Sequence, residues 1–102
     1  MLWLRETLAF RAVKRFVHFE HMYEQINDPI EVLAGFKRGQ IIPYRFKWGI
    51  HQYDVKKVNL VHGEMRGKDM LYYFSVSDEA NYFKLCFDTG KMVWKLEEMM
   101  EA

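Results

Sequence analysis

Residues 41–58 read Ile-Ile-Pro-Tyr-Arg-Phe-Lys-Trp-Gly-Ile-His-Gln-Tyr-Asp-Val-Lys-Lys-Val and set the architecture expected for the whole chain. The pattern is typical of two β-strands joined near Gly49. Successive side chains of a strand point to opposite faces of a sheet, so the first strand has two chemically different faces. One face is apolar and aromatic, and the other carries two cations. The first set is Ile42, Tyr44, Phe46 and Trp48, and the second is Ile41, Pro43, Arg45 and Lys47.

Further antiparallel strands are predicted on both sides of this pair, because apolar and polar residues alternate between turn-forming segments. The alternation changes parity at Lys56-Lys57, where we expect a β-bulge. Residues 63–68 are predicted to form a polar loop, and Gly90 is expected to adopt a positive φ in a tight turn. The predicted strands cover residues 30–37, 41–48, 52–60, 69–77, 83–88 and 91–97.

Residues 2–26 are predicted to form a helix, since they contain no Gly or Pro and place apolar side chains on one face at about 100° per residue. The helix should end before Pro29, because proline disfavours a helical residue at Asp28. Its apolar face is typical of a helix packed on a sheet or on a second subunit, although a membrane-surface helix has a similar pattern. The acidic segment 97–102 is expected to fray.

These elements together predict an α+β fold in a single domain, residues 1–102. An N-terminal helix (1–27) would precede an antiparallel β module (30–97) of five or six strands, arranged as a meander in a strongly bent sheet or a small barrel. A single core is expected to unite the bulky inward-facing side chains of successive strands. They are Phe46, Trp48, Phe74, Leu85, Phe87 and Trp94.

Composition favours a cytoplasmic protein that does not enter a membrane. The chain has one cysteine, Cys86, and no apolar run near the ~20 residues that span a bilayer. The net charge is only +1, but residues 36–68 hold eight cations and two acids, while residues 69–102 hold three cations and seven acids. Such segregation would steer an anionic partner towards one side, unless the two segments lie on neighbouring strands and neutralise each other.

A family resemblance is carried by Pro43-Tyr44-Arg45-Phe46-Lys47-Trp48, followed by Gly49 and Tyr53-Asp54-Val55. This pattern resembles a family of small uncharacterised bacterial β-domains, similar to modules appended to the C-terminus of some Y-family DNA polymerases. The resemblance covers residues 30–96 and leaves the predicted helix outside it. In this chain Gly49 follows Trp48 directly, where the family usually has a spacer. The resemblance implies a role near nucleic acid and carries no activity.

No catalytic or metal-binding arrangement is visible in the sequence. His18 and His21 are three residues apart, but two histidines supply only half of a typical metal site. Cys86 lies between bulky strand residues, as expected for a packed thiol rather than a nucleophile. We therefore expect no enzyme activity, no metal and no cofactor.

Two functions remain. The first is a protein-interaction or self-association module, a homodimer above all, which would bury the apolar helix and an open sheet edge. The alternative is a nucleic-acid-binding accessory domain, in which Arg45, Lys47, Lys56 and Lys57 form one basic patch against phosphates. The alternative fails if acids such as Asp54, Glu97 or Glu98 pair with these cations.

Overall fold

The computed structural model describes residues 23–101, and these residues form one antiparallel sheet of seven strands with no helix. The predicted antiparallel pairing is confirmed, whereas the α+β class is wrong for this part of the chain, which is all-β. The strands are β1 (Tyr23–Lys37), β2 (Gln40–Trp48), β3 (His51–Asp54), β4 (Lys57–Arg66), β5 (Asp69–Ser77), β6 (Asn81–Asp88) and β7 (Val93–Glu101).

The sheet consists of two meanders, β1–β2–β3 and β4–β5–β6–β7, that join where the first strand pairs with the last. The order across the sheet is β3-β2-β1-β7-β6-β5-β4. The long strand β1 connects the meanders, because its first half pairs with β7 and its second half pairs with β2. In a simple meander, each strand pairs with the next one in the chain. The pairing of β1 with β7 is different, because it joins strands far apart in the sequence, and the alternation within each strand does not predict it.

The two edge strands, β3 and β4, follow each other in the chain and are linked only by Val55 and Lys56. The Val55 N–H donates to the carbonyl oxygen of Tyr44 on β2 (2.8 Å), and the Lys56 N–H donates to that of Ser77 on β5 (2.9 Å). The chain therefore passes from one end of the sheet to the other within two residues, which requires a strongly bent sheet. The sheet is still open, because β3 and β4 do not pair, and the small-barrel prediction is wrong.

The core lies on the concave face of this bend. Phe46 on β2 and Phe83 on β6 have ring centroids 4.9 Å apart, although β1 and β7 lie between their strands in the sheet. Trp94 is half-buried and stacks on Phe87 at 4.7 Å. The predicted core is confirmed in Phe46, Phe74, Leu85 and Phe87, which are buried, with Trp48 and Trp94 packed against them.

Two predictions at the ends of the chain fail together. The predicted helix lies mostly outside the described residues, over residues 2–22, but residues 23–26 belong to β1 rather than to a helix. Their partners are in the segment that was expected to fray: Glu24 lies opposite Met99, which is buried. Taken alone, residues 23–26 are typical of a helix and the acidic tail is typical of a frayed end. They form strands because they pair with each other, and neither sequence shows that pairing by itself.

Turn chemistry is predicted in part. The Asn-Asp-Pro sequence that was read as a helix stop forms a bulge inside β1, with Asn27 at φ 57°. In the turn between β6 and β7, the positive φ (59°) occurs at Met92 rather than at Gly90. A Cβ at Gly90 would meet the Asp69 carboxylate, so a larger residue there would require the Asp69 side chain to move. The β-bulge expected at Lys56-Lys57 is not found there: Val55-Lys56 divides the predicted strand 52–60 into β3 and β4, and the bulge lies at Asn59.

Candidate functional site

Strand β4 is the most exposed element of the described sheet, since all ten of its residues are exposed. Within residues 23–101 it pairs only with β5, so the backbone groups along its other side have no partner strand in this part of the chain. Several large apolar side chains of β4 are nevertheless in solvent. Leu60 is 63% exposed, Met65 57% and Val61 50%.

The side chains of β4 divide between the two faces of the sheet after a bulge at Asn59, whose side-chain amide donates to the Ser77 hydroxyl (3.3 Å). Val61 lies opposite Phe74 and therefore faces inward, on the core side, as do Gly63 and Met65. The outward set is Leu60, His62, Glu64 and Arg66.

Gly63 has a local role in this strand, because a Cβ there would lie 3.3 Å from Cε1 of Tyr72 on β5. Its missing side chain lets the Tyr72 ring pack against the β4 backbone. The segment 63–68 was predicted to be a polar loop, and this prediction is wrong because β4 continues to Arg66 and turns at Gly67-Lys68. The sequence signal for this strand is the alternation of Val61, Gly63 and Met65 on the inner face. Gly63 and Gly67 make that signal hard to recognise, because glycines are typical of loops.

An apolar cleft separates the beginning of β2 from β4. The chain joins the two strands at Val55 and Lys56, whose N–H groups donate to Tyr44 on β2 and to Ser77 on β5, and no ladder pairs β2 with β4. The cleft has a volume of about 440 Å³. Its lining comes from the β1–β2 turn, β2, β4 and β5, and consists of Gly39, Gln40, Ile41, Ile42, Val58, Val61, Tyr72 and Phe74.

The charged residues that directly adjoin this lining are cationic. Lys37 lies opposite Gln40 in the β1–β2 ladder, Arg38 precedes Gly39 in the turn, and Lys57 precedes Val58. All three are exposed, and no described acid adjoins a lining residue along the chain or across a ladder. Three of the eight cations in residues 36–68 therefore adjoin the lining: Lys37 and Arg38 beside β2, and Lys57 next to Val58 in the chain but on the opposite face of β4.

The outer face of β4–β5–β6 carries a second cluster, centred on Tyr73. The His62 ring stacks on Tyr73 at 6.0 Å, and Lys84 Nζ lies 5.3 Å from the centroid of the same ring. Beneath them, burial raises the pKa of the Cys86 thiol, and the nearby Glu97 carboxylate raises it further. Burial likewise raises the pKa of Tyr73. Both shifts favour the protonated form of the group, the thiol of Cys86 and the phenol of Tyr73.

The predicted nucleic-acid-binding residues are placed in two groups. Arg45 and Lys47 share the outward face of β2, as predicted, but Arg45 Nε is 2.7 Å from Asp54 Oδ1 on β3 and Lys47 lies opposite Glu31 on β1. Lys56 and Lys57 are exposed at the junction, beyond the end of β3. Their joint action on phosphate stays a prediction, and the ion pair of Arg45 with Asp54 weakens it in the way that the sequence allowed.

Residues 23–101 contain no group of three His, Cys, Asp or Glu side chains placed to hold a metal ion. His18 and His21 lie outside the described residues. Within the same range no helix is present that could cross a membrane. Comparisons of the chain with family models, with curated proteins and with solved structures find no match, so the resemblance to the bacterial β-domains stays a prediction.

Proposed function

We propose that this protein is a non-catalytic interaction module that self-associates by pairing the free edge of β4 with β4 of a second copy. One observation carries the proposal: β4 is a ten-residue edge strand whose residues are all exposed and include large apolar side chains. An unpaired edge of this kind is a template for another strand, and proteins that do not use it normally shorten or charge it.

Symmetry and charge favour one register for this pairing. In an antiparallel two-fold pair, residues that lie opposite each other are on the same face, so the two-fold axis passes through a residue of β4. An axis at Gly63 places Val61 against Met65 of the second copy on the inner face, and His62 against Glu64 on the outer face. An axis at Glu64 would set two carboxylates against each other, which is destabilising.

The experiment is light scattering of the full chain over a range of concentrations. A dimer is expected at high concentration, against a monomer mass of 12.4 kDa. The change Leu60→Lys with Met65→Lys should return the protein to the monomer mass, because charges on an edge strand oppose further pairing. Ile50→Lys is the matched control, since Ile50 is 90% exposed in the β2–β3 turn and should leave the mass unchanged.

A charge exchange tests the register. Glu64→Lys alone should weaken the dimer, because the new cation faces His62 of the second copy. Adding His62→Glu should restore it, since the pair is then reversed rather than removed. A monomer at every concentration, or a dimer indifferent to both the edge lysines and the charge exchange, would refute self-association through β4.

A further inference from the structure

The cleft between β2 and β4 has the size and lining of a small-molecule site. Its volume of about 440 Å³ is within the range of ligand pockets, roughly 300–1,000 Å³. Ile41, Val58 and Phe74 give it an apolar interior, while the Gln40 amide and the Tyr72 hydroxyl belong to lining residues that offer polar groups. An aliphatic chain placed there would be removed from water, and the gain is proportional to the apolar area that it buries.

The rim determines which end group such a chain would carry. Lys37 and Arg38 lie at the β2 side, with no described acid beside the lining, while Lys57 is next to Val58 in the chain but on the opposite face of β4. None of the three cations makes an ion pair with a described residue, in contrast to Arg45. A carboxylate at the mouth would therefore meet uncompensated positive charge, whereas an ammonium group would be repelled.

We propose that this cleft binds an amphipathic anion, namely an aliphatic chain of medium length with a terminal carboxylate. The hydrocarbon occupies the space between Ile41, Val58 and Phe74, and the carboxylate remains at the mouth beside Arg38. The guanidinium group of arginine suits a carboxylate because its planar N–H groups can donate two parallel hydrogen bonds. The proposal assigns a ligand class to the positive segment 36–68 without requiring the Arg45 face.

The site overlaps in part with the pairing of β4 proposed above. Pairing about Gly63 uses residues 60–66, while β4 lines the cleft with Val58 and Val61. The two sites share Val61, so binding is also measured in the Leu60→Lys, Met65→Lys protein. Equal affinity in both proteins is expected.

The test is calorimetric titration of the full chain with three probes of equal chain length: decanoate, decanol and decylamine. Decanoate is expected to bind most tightly and decylamine least. Changing Lys37 and Arg38 to Gln should weaken decanoate binding about fivefold, as two exposed charge contacts allow, and leave decanol unchanged. Lys91→Gln is the matched control, because Lys91 is exposed in the β6–β7 turn, away from the cleft.

A filling variant tests the cavity itself. Val58→Phe should reduce binding of all three probes at least tenfold while the circular dichroism spectrum and unfolding midpoint stay close to those of the parent. No binding of decanoate by the full chain would overturn the proposal. Equal binding of decanoate and decylamine, or decanoate affinity unchanged by Lys37→Gln with Arg38→Gln, would also overturn it by showing that the rim does not select an anion.

Discussion

The two edges of this sheet differ in length and in the exposed apolar side chains that they carry. Strand β3 has four residues, His51–Asp54, and its neighbour β2 holds it with the ion pair of Arg45 and Asp54. Strand β4 has ten residues, exposes Leu60, Val61 and Met65, and has one weak contact of His62 with Glu64 along its length. Short, charged edges discourage further pairing, and long apolar ones invite it.

Among the described strands, this difference makes β4 the edge with more length and more exposed apolar side chains. Both strands come from one segment, 51–66, which leaves β2 and joins β5 at Val55-Lys56. If β4 served only to carry the chain from β2 to β5, the strand could end soon after Val55-Lys56. The extra length of β4, together with its exposed apolar residues, exceeds what this connection requires, and it is the observation on which the proposed pairing of β4 rests.

The largest effect is expected from a matched pair of substitutions that separates folding from binding. Leu85 on β6 is fully buried, and Leu85→Ala should lower the free energy of unfolding by about 2–5 kcal/mol. Leu60→Ala on β4 should change it by no more than about 0.5 kcal/mol, because Leu60 is already in solvent. Urea unfolding at low protein concentration, where the monomer dominates, measures both. A large loss for Leu60→Ala would show that β4 contributes to the core.

Sequence alone predicts the local elements of this comparison and misses their arrangement. The parity of Phe46, Phe74, Leu85 and Phe87 is sufficient to identify the core, because burial follows the alternation of each strand separately. The pairing of Tyr23–Gln25 with Glu98–Met100 depends on two ends of the chain that meet only in the fold. No local pattern contains that information.

The candidate sites show the same limit. Arg45 and its basic face are visible in the sequence, but the contact with Asp54 depends on the β2–β3 register. The cleft is harder still to predict, because it lies between β2 and β4, which do not pair. In the sheet β4 is one edge, and β2 lies next to the other edge. Residues such as Val58 and Tyr72 look like ordinary strand residues until that bend is known.

A smaller effect is expected at the turns next to the two edge strands, one before β3 and one after β4. Gly49 precedes β3 with φ 61° and Gly67 follows β4 with φ 63°, and neither has an atom within 4 Å of a Cβ position. Gly→Ala at either site should therefore cost about 1 kcal/mol of stability from backbone strain alone. Gly→Asn should cost less, since Asn tolerates this conformation. Unequal losses at the two turns would mean that the edges differ in backbone strain as well as in side chains.

The outer face beside β4 should make stability depend on pH. The pKa of Cys86 is raised in the folded protein by burial and by Glu97, so the unfolded chain loses the thiol proton first. Stability should be constant below the unfolded thiol pKa, about 8.5, and fall as the pH rises towards the folded value. Urea unfolding between pH 7 and pH 10 measures the slope. Cys86→Ala should reduce this slope. Because the pKa of Tyr73 is also raised, the variant should still lose stability at higher pH.

The smallest effect is expected at the short edge, where Arg45 and Asp54 are each about half-exposed at 50% and 52%. A double-mutant cycle of Arg45→Ala and Asp54→Ala should give a coupling energy of about 0.2–1 kcal/mol that decreases with added salt.

The same variants test the nucleic-acid alternative. Asp54→Ala frees Arg45, so a phosphate-binding face would bind single-stranded oligonucleotides more tightly in that variant at low salt. We expect no binding by the parent or by Asp54→Ala, because Lys47 still faces Glu31. Binding that appears on removal of Asp54 and disappears with Arg45→Ala would instead show that the short edge is a neutralised phosphate site.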